Sequence, residues 1–302
     1  MEWLKRLSNA IDYIEDNLTG EISYEETAKI ACCSTYYFQR MFSYVADVSL
    51  SEYIRRRKMT QAAFELQSTD SKVLDIALKY GYASPTSFNR AFQNVHGISP
   101  AAAKSRGNIL NAYPPIHFSV RVTGVSPMPY RIETKDAMRI VGVRIPLTED
   151  MEENQKVVPE FWDATLKGNL FPEICKLPNS KPKGVLGITA YLEPGEIYYY
   201  VAAATNKPVP AGMFEYEIPA ATWVVFESNG HFKESIQTIF RRFLTEWLPF
   251  SGYEYAMLPD IEVYPISEQE LKGGYSEVWI AIKEEKRNKR GGVKCPLSMF
   301  KI

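Results

Sequence analysis

The sequence predicts a chain of two domains that differ in fold class. The first is an all-α domain with two helix-turn-helix units, and the second is an α+β domain with a duplicated strand–helix–strand–strand order. Two observations support this multidomain division. A short helical sequence motif occurs twice, over residues 34–45 and 84–95, at an offset of 50 residues. After Gly107, helical periodicity gives way to short β-rich runs between helices. A chain of 302 residues is long enough for two such domains.

The helices of the first half have recognisable starts and stops. An amphipathic opening helix is predicted over residues 1–18. The motif Ser23-x-x-Glu26 is a capping box that opens a short second helix. A long helix over 50–66 contains neither Gly nor Pro, and it joins the two halves of the domain. Gly81 ends the next short helix as a left-handed residue. This order of short helices and tight turns is the helix-turn-helix pattern, present twice.

The repeated helix carries apolar residues on one face and polar residues on the other. Ser34 is the expected N-cap of the first copy, and Ser84 followed by Pro85 is the expected start of the second. The polar faces carry Tyr36, Gln39 and Arg40 in the first copy and Thr86, Asn89 and Arg90 in the second. Gln, Asn and Arg side chains make bidentate hydrogen bonds to purine edges in the DNA major groove. Two such helices on one linking helix can enter successive major grooves, about 34 Å apart.

The charge balance requires any DNA contact to be local. The net charge is −1, so the chain as a whole is no general binder of polyanions. The run Arg55, Arg56, Arg57 and Lys58 lies on the predicted long helix, and we expect it on the exposed side, where it can contact DNA phosphates. Four cysteines form no disulfide or zinc framework, and no apolar stretch approaches the about 20 residues of a membrane span. We therefore expect a cytoplasmic protein with no membrane contact.

Residues 3–106 resemble the AraC/XylS family of transcription regulators. The resemblance rests on Y-F-Q-R-M-F, S-L-S-E-Y-I-R-R-R-K-M-T-Q-A, I-A-L-K-Y-G-Y, S-F-N-R-A-F and G-I-S-P, and the MarA, SoxS and Rob branch looks most similar. The resemblance implies that DNA bases are contacted by Tyr36, Gln39, Arg40, Thr86 and Arg90. It also implies a transcription activator that has RNA polymerase as a partner. In that branch a pair of glutamines stands where this chain has Pro85 and Thr86.

The second half predicts a repeated order of strands and helices. Residues 108–129 hold four prolines, which indicates an extended linker. The predicted order is strand 139–145, a helix near 160–166, and strands 184–192 and 197–203. It recurs as strand 222–228, a helix over 232–247, and strands 260–265 and 276–282. This recurrence indicates an internal pseudo-symmetry.

Residues 130–285 resemble the GyrI-like effector-binding domain. The matching stretches are F-E-Y-E-I-P-A-A-T-W-V-V-F, E-W-L-P-F-S-G-Y, P-D-I-E-V-Y and S-E-V-W-I-A-I. The resemblance implies a groove between the two repeats that binds small amphipathic or cationic molecules. Glu262 alternates with apolar residues in a predicted strand. Its negatively charged carboxylate can pair with a ligand cation, and aromatic rings add cation–π attraction. The aromatic candidates are Trp223, Tyr191, Trp162 and Tyr255.

Other functions have weaker support in the sequence. The three histidines are scattered, and we find no metal-ligand spacing, nucleophile elbow, phosphate loop or dinucleotide fingerprint, so no catalytic residue, metal or cofactor is expected. Two alternatives stay open for the second half: a protein-docking module like the gyrase-inhibitor relatives, and hydrolysis of a bound small molecule. Residues 286–302 begin with K-R-N-K-R-G-G and are interpreted as a basic tail that adds non-specific DNA affinity. The domain bounds expected from the sequence are thus 1–107, a linker 108–129, 130–285 and the tail.

Overall fold

The computed structural model describes residues 2–118, 127–193, 196–229, 232–266 and 275–284. They fall into two compact units, one up to residue 118 and the other from residue 127 onward. The tail 286–302 lies outside the described residues, so its proposed role has no structural counterpart here. Each unit is considered by itself.

The first unit contains seven helices among its described residues. Their bounds are α1 Glu2–Asp16, α2 Tyr24–Ile30, α3 Thr35–Ala46, α4 Leu50–Ser68, α5 Val73–Lys79, α6 Pro85–His96 and α7 Pro100–Ala103. The helix starts agree with side-chain capping at Ser23 and Ser34, which accept hydrogen bonds from the backbone N–H groups of Glu26 and Tyr37. Ser84 is the N-cap residue of α6 and Pro85 is its first residue, as predicted, but the Ser84 hydroxyl makes no cap hydrogen bond.

The long helix α4 is the scaffold of the first unit. Its buried residues Met59, Ala62 and Leu66 share one core with Phe88 and Phe92 of α6. The equivalent pair on α3, Phe38 and Phe42, is also fully buried, and Phe42 packs on Tyr53 of α4 with ring centroids 5.4 Å apart. The predicted apolar faces of the repeated helix are therefore packed on the same central helix. Gly81 has φ +83°, which confirms the predicted left-handed turn between α5 and α6.

The segment 108–117 is irregular and is hydrogen-bonded to the first unit. The backbone N–H of Tyr113 donates to Thr60 Oγ1 at 3.1 Å, and the N–H of Ile116 donates to the Tyr53 hydroxyl at 3.3 Å. The N–H of Asn111 donates to His96 Nδ1 at 3.2 Å. We call these residues the docked segment. These three hydrogen bonds are made to α4 and to the end of α6.

The second unit is built on one antiparallel sheet. Its strands are β1 Tyr130–Lys135, β2 Met138–Leu147, β3 Val185–Glu193, β4 Glu196–Ala204, β5 Phe214–Ile218, β6 Ala221–Asn229, β7 Tyr253–Tyr255, β8 Ile261–Tyr264 and β9 Tyr275–Glu284. The strand order is β1-β6-β9-β8-β3-β4-β2-β5, with β7 added beside β9. This order reads symmetrically from the central pair of β3 and β8 outward. The predicted duplication of strand, helix, strand and strand is thereby confirmed.

Helices pack on one face of this sheet. They are α8 Met151–Lys167, α9 Phe171–Lys176, α10 Phe232–Arg242 and α11 Leu248–Ser251. We call the covered side the helix face. It carries Tyr199, Phe226 and Glu262, because residues paired across neighbouring strands share a face and alternate residues along a strand do too. The other side, called the core face, carries a buried cluster that includes Tyr200, Trp223 and Trp279.

Several features of the second unit differ from the predicted order. The strands β1, β5 and β7 are absent from the expected order because their short, charge-rich sequences give weak strand signals. The helix predicted over 232–247 is not a single α-helix. Its last turn, Phe243–Trp247, is π-helical, and this turn stacks Trp247 on Phe243 with ring centroids 5.8 Å apart.

Candidate DNA-reading surface and effector site

The second reading helix, α6, presents its polar face to solvent. Thr86, Asn89 and Arg90 are all exposed, whereas Phe88 and Phe92 on the opposite side are completely buried. The separation follows from the 3.6-residue period of the helix, because positions three and four apart share a face. Three side chains that can hydrogen-bond to base edges are therefore held on a packed scaffold and point away from it.

The first reading helix, α3, differs in the exposure of the equivalent residues. Tyr36, Gln39 and Arg40 keep only 4%, 4% and 7% of their surface exposed, so the expectation of an exposed polar face is wrong for this helix. Arg40 folds back along α3: its Nε donates to the Tyr44 hydroxyl at 3.2 Å and its guanidinium lies 5.5 Å from the centre of that ring. The Nε2 of Gln39 is buried and has no hydrogen-bond partner among the described residues.

The basic run of α4 divides into two surface residues and two structural ones. Arg55 and Arg56 are about one-third exposed, and both form ion pairs with Glu52 one turn earlier. Arg57 is only 3% exposed, and its Nε and Nη2 bind the carboxylate of Glu15, with Nη2 2.7 Å from Oε2. The expected exposure is therefore wrong for Arg57, because the helix turns this side chain toward α1.

Lys58 is the second structural residue of the run. Its Nζ donates to the backbone carbonyls of Gly20 and Tyr80, each at 3.0 Å. Burial lowers the pKa of this ammonium group, since desolvation disfavours its charged form. Because the Lys58 ammonium group is bonded to two carbonyls, Arg55 and Arg56 are the residues of the run whose charged groups phosphates can reach.

In the second unit, Glu262 lies at the centre of the sheet, within a cluster of hydroxyl and indole groups. The hydroxyls of Tyr199 and Tyr264 both donate to Glu262 Oε2, at 3.2 and 2.9 Å. The indole Nε1 of Trp162 donates to the Tyr199 hydroxyl at 2.9 Å, and the Trp162 ring lies edge-on to Tyr264 with centroids 5.1 Å apart. We call these four residues the Glu262 cluster. Its members come from α8, β4 and β8, so the fold brings both repeats together here.

A glycine makes room for the Glu262 cluster. Gly187 is the cross-strand neighbour of Glu262 in the central strand pair. A Cβ added to Gly187 would lie 2.4 Å from the Tyr199 hydroxyl and 2.9 Å from Glu262 Oε2, closer than atoms can approach. The absence of a side chain therefore permits the hydrogen bond between Tyr199 and Glu262.

The other predicted aromatic residues lie apart from this cluster. Tyr191 is half-buried on the helix face, but it stands four residues along β3 from Gly187, about 13 Å away at the rise of a strand. Trp223 lies on the core face, is fully buried, and packs against Trp279. Strand alternation turns it away from Glu262, so the structure does not bring Trp223 into the Glu262 cluster. Tyr255 donates to Asp260 Oδ2 at 2.7 Å and belongs to the core of the second repeat.

Of the ligand-binding residues predicted from the sequence, the structure brings Glu262 and Trp162 into one cluster, and it adds Tyr199, which the sequence does not single out. The run Tyr198-Tyr199-Tyr200 offers three equivalent candidates, and only the pairing of Thr189 with Tyr199 shows which one shares a face with Glu262. Tyr200, the next residue, instead lies on the core face and accepts a hydrogen bond from Arg144 Nη1 at 2.9 Å. The signal that could have identified Tyr199 is the strand register.

Metal and membrane sites can be assessed over the same described ranges. They contain no group of three or more His, Cys, Asp and Glu side chains placed to hold a metal ion. His96 is buried and serves the fold, with Nε2 3.0 Å from the carbonyl oxygen of Met59; burial lowers its pKa. Within the described ranges, no helix combines the length and the apolar character needed to cross a bilayer.

Two paired helix-turn-helix units followed by a carboxylate site in a duplicated α+β sheet define a DNA-binding regulator with an effector-binding domain. Sequence comparisons agree. Residues 27–106 match a helix-turn-helix domain family, and residues 131–282 match the family described as integron-associated effector binding protein. The chain is 41% identical over 95 residues to the HTH-type transcriptional activator AarP of Providencia stuartii, covering 32% of this chain and 70% of AarP.

Similar relations hold for a second relative and one solved structure. The multiple antibiotic resistance protein MarA of Escherichia coli strain K12 is 35% identical over 94 residues, which cover 31% of this chain and 74% of MarA. The structure of SAV2435 bound to tetraphenylphosphonium aligns with a TM-score of 0.46 at 16% identity, covering 52% of this chain and 94% of SAV2435. The chain belongs to the AraC family of DNA-binding transcription regulators and carries a GyrI-like effector-binding domain.

Proposed function

We propose that this regulator reads two successive major grooves with α3 and α6 and responds to a small amphipathic cation bound at the Glu262 cluster. The observation that carries the effector part of this proposal is the cluster itself. A carboxylate held by two tyrosine hydroxyls, next to the ring of Trp162, combines the negative charge and the aromatic surface that a hydrophobic cation requires. The carboxylate is half-buried, so its field is less screened than that of a surface group.

The DNA part of the proposal rests on the two reading helices. On α6, Thr86, Asn89 and Arg90 are already exposed for contact with bases. On α3, Gln39 carries a buried amide donor for which the described residues supply no partner, and such a group is costly unless a ligand satisfies it. We therefore propose that α3 contacts bases in the DNA-bound state. In that state the side chains of Tyr36, Gln39 and Arg40 are exposed to the DNA. Arg55 and Arg56 supply the phosphate contacts.

In this proposal, the binding of the ligand and the binding of DNA are thermodynamically linked. A ligand that binds more tightly to one arrangement of the protein shifts the population toward that arrangement. We propose that the chain acts in the cytoplasm as an activator that contacts RNA polymerase, by analogy with its AraC-type relatives. The proposed domain bounds are 1–107 for DNA binding, 108–129 for the linker, 130–285 for effector binding and 286–302 for the tail.

The experiment is thermal unfolding of the full-length chain with three probes of similar size: tetraphenylphosphonium, a bile-acid anion and a neutral aromatic compound. A ligand that binds only the folded state raises the free energy of unfolding by about 2.7 kcal/mol at 100 times its Kd. We expect a rise with the cation alone. Equal responses to all three probes would contradict recognition of charge, and no response to any probe would favour the protein-docking alternative.

A further inference from the structure

The strand β1 forms one edge of the sheet, and its outer side is paired with no described strand. It pairs on its inner side with β6, from Tyr130 opposite Phe226 to Lys135 opposite Ala221. On the helix face of β1, Tyr130 and Ile132 are 54% and 41% exposed. An edge with exposed apolar side chains is a template for adding another strand, unless its charges oppose this.

The charges of β1 do not oppose pairing with a second copy of the same strand. Arg131 and Glu133 lie on the core face of β1, opposite Val225 and Trp223 in the register with β6. When two copies of β1 run antiparallel about a two-fold axis at Ile132, Arg131 of each copy lies directly opposite Glu133 of the other. Opposite charges in directly facing positions stabilise an antiparallel pair. The same axis places the two Ile132 side chains side by side.

The present contacts of Arg131 fit this arrangement. Its guanidinium already bridges Glu133 and Glu277, with N–O distances of 2.7 and 2.8 Å, and Lys135 is also paired with Glu133. The charges along this face of β1 therefore alternate in sign, from Arg131 to Glu133 to Lys135. A second copy of β1 adds a parallel row of opposite charges beside Arg131 and Glu133. Arg131 keeps 37% of its side chain exposed, so it is accessible to a partner.

The opposite edge of the sheet provides a contrast. Strand β5 occupies the position related to β1 by the internal pseudo-symmetry. A two-fold axis at its middle residue, Tyr216, would place Glu215 of each copy opposite Glu217 of the other. Like charges in facing positions are destabilising. Of the two edges, only β1 is complementary to itself.

We propose that two copies of this chain associate through their β1 edges, in an antiparallel pair with its two-fold axis at Ile132. Such an interface is isologous, because each strand contributes the same residues to both halves. Backbone hydrogen bonds supply the pairing, and the Arg131–Glu133 pairs fix the register. The dimer carries four helix-turn-helix units and so can engage two DNA sites at once. This inference is independent of the effector proposal.

The register is tested by disulfide cross-linking of the full-length chain in a background in which the native cysteines are serine. Ile132→Cys places two cysteines directly opposite, with Cα atoms about 5 Å apart, within reach of a disulfide. Tyr130→Cys, a matched control on the same exposed face, places them about 13 Å apart along the strand. We expect covalent dimers to form at least about tenfold faster with Ile132→Cys. Equal rates for the two variants, or no dimer with either, would overturn the proposal.

A second measurement uses charge reversal and sedimentation velocity without any cross-link. Arg131→Glu places two carboxylates opposite each other, and we expect the dimer dissociation constant to rise at least about tenfold. Adding Glu133→Arg restores opposite charges, and we expect the double variant to regain the dimer. An unaltered dissociation constant in Arg131→Glu would overturn the assigned register, as would a parent chain that stays monomeric up to about 100 µM.

Discussion

Replacing Glu262 with glutamine removes one negative charge from the effector site while nearly preserving the shape of the side chain. A cation about 4 Å from a carboxylate gains about 1 kcal/mol in water and about 4 kcal/mol at the effective dielectric constant of a protein surface. Glu262 is half-buried, so an intermediate value of about 2 kcal/mol applies. This corresponds to a Kd for tetraphenylphosphonium about 30 times weaker in Glu262→Gln than in the parent, measurable by isothermal titration calorimetry.

The control for this prediction is Glu254→Gln. Glu254 lies on β7, where its side chain is 45% exposed and is paired with Lys283 at 3.5 Å, so it carries the same charge outside the Glu262 cluster. We expect its Kd for the cation to equal that of the parent within a factor of two. A Glu262→Gln variant that binds the cation as tightly as the Glu254→Gln control would refute the electrostatic argument. Apo DNA affinity should be the same in both variants.

Three further predictions follow from the same contacts. Gly187→Ala should force the Tyr199 hydroxyl away from the carboxylate and weaken cation binding at least about tenfold, seen as a change in calorimetric Kd with unfolding still cooperative. Arg90→Ala should cost about 1–3 kcal/mol of specific DNA affinity and relax base preference in a competition binding assay; unaltered specific binding would exclude base contact by Arg90. Arg57→Ala should lower the free energy of unfolding by about 3 kcal/mol in urea titrations, because it leaves Glu15 without its buried partner. An Arg57 variant of parental stability and weakened DNA binding would show instead that this arginine contacts phosphate.

The repeated reading helix could be predicted from the sequence because its signals are local. Caps at Ser23 and Ser34, the left-handed Gly81 and the apolar faces of both copies depend on residues within one or two turns. The burial of Gln39 depends on the tertiary arrangement around α3, and helical periodicity carries no information about it. The same limit explains Arg57, whose carboxylate partner lies 42 residues earlier in the chain.

The effector site could be predicted only in part because strand residues alternate between faces. Residue type alone points to Glu262 and Trp162, and the structure places them in one cluster. Tyr199 and Trp223 depend on the pairing of distant strands, and a shift of one residue moves a side chain to the other face. Strand β1 is not evident from the sequence because its charged residues Arg131, Glu133 and Lys135 resemble those of a solvated loop.

The docked segment affects where the DNA-binding part of the chain can be cut. Helical periodicity ends near Gly107, but Arg57 Nη1 donates to the backbone carbonyl of Tyr113 at 2.5 Å, and the Arg56 guanidinium lies 4.9 Å from the Tyr113 ring centre. A fragment that stops at residue 107 would expose the side of α4 that these residues cover and remove one acceptor from a buried guanidinium. A fragment that extends to residue 118 retains both contacts. Affinities measured on the shorter piece would report on a weakened scaffold as well as on DNA.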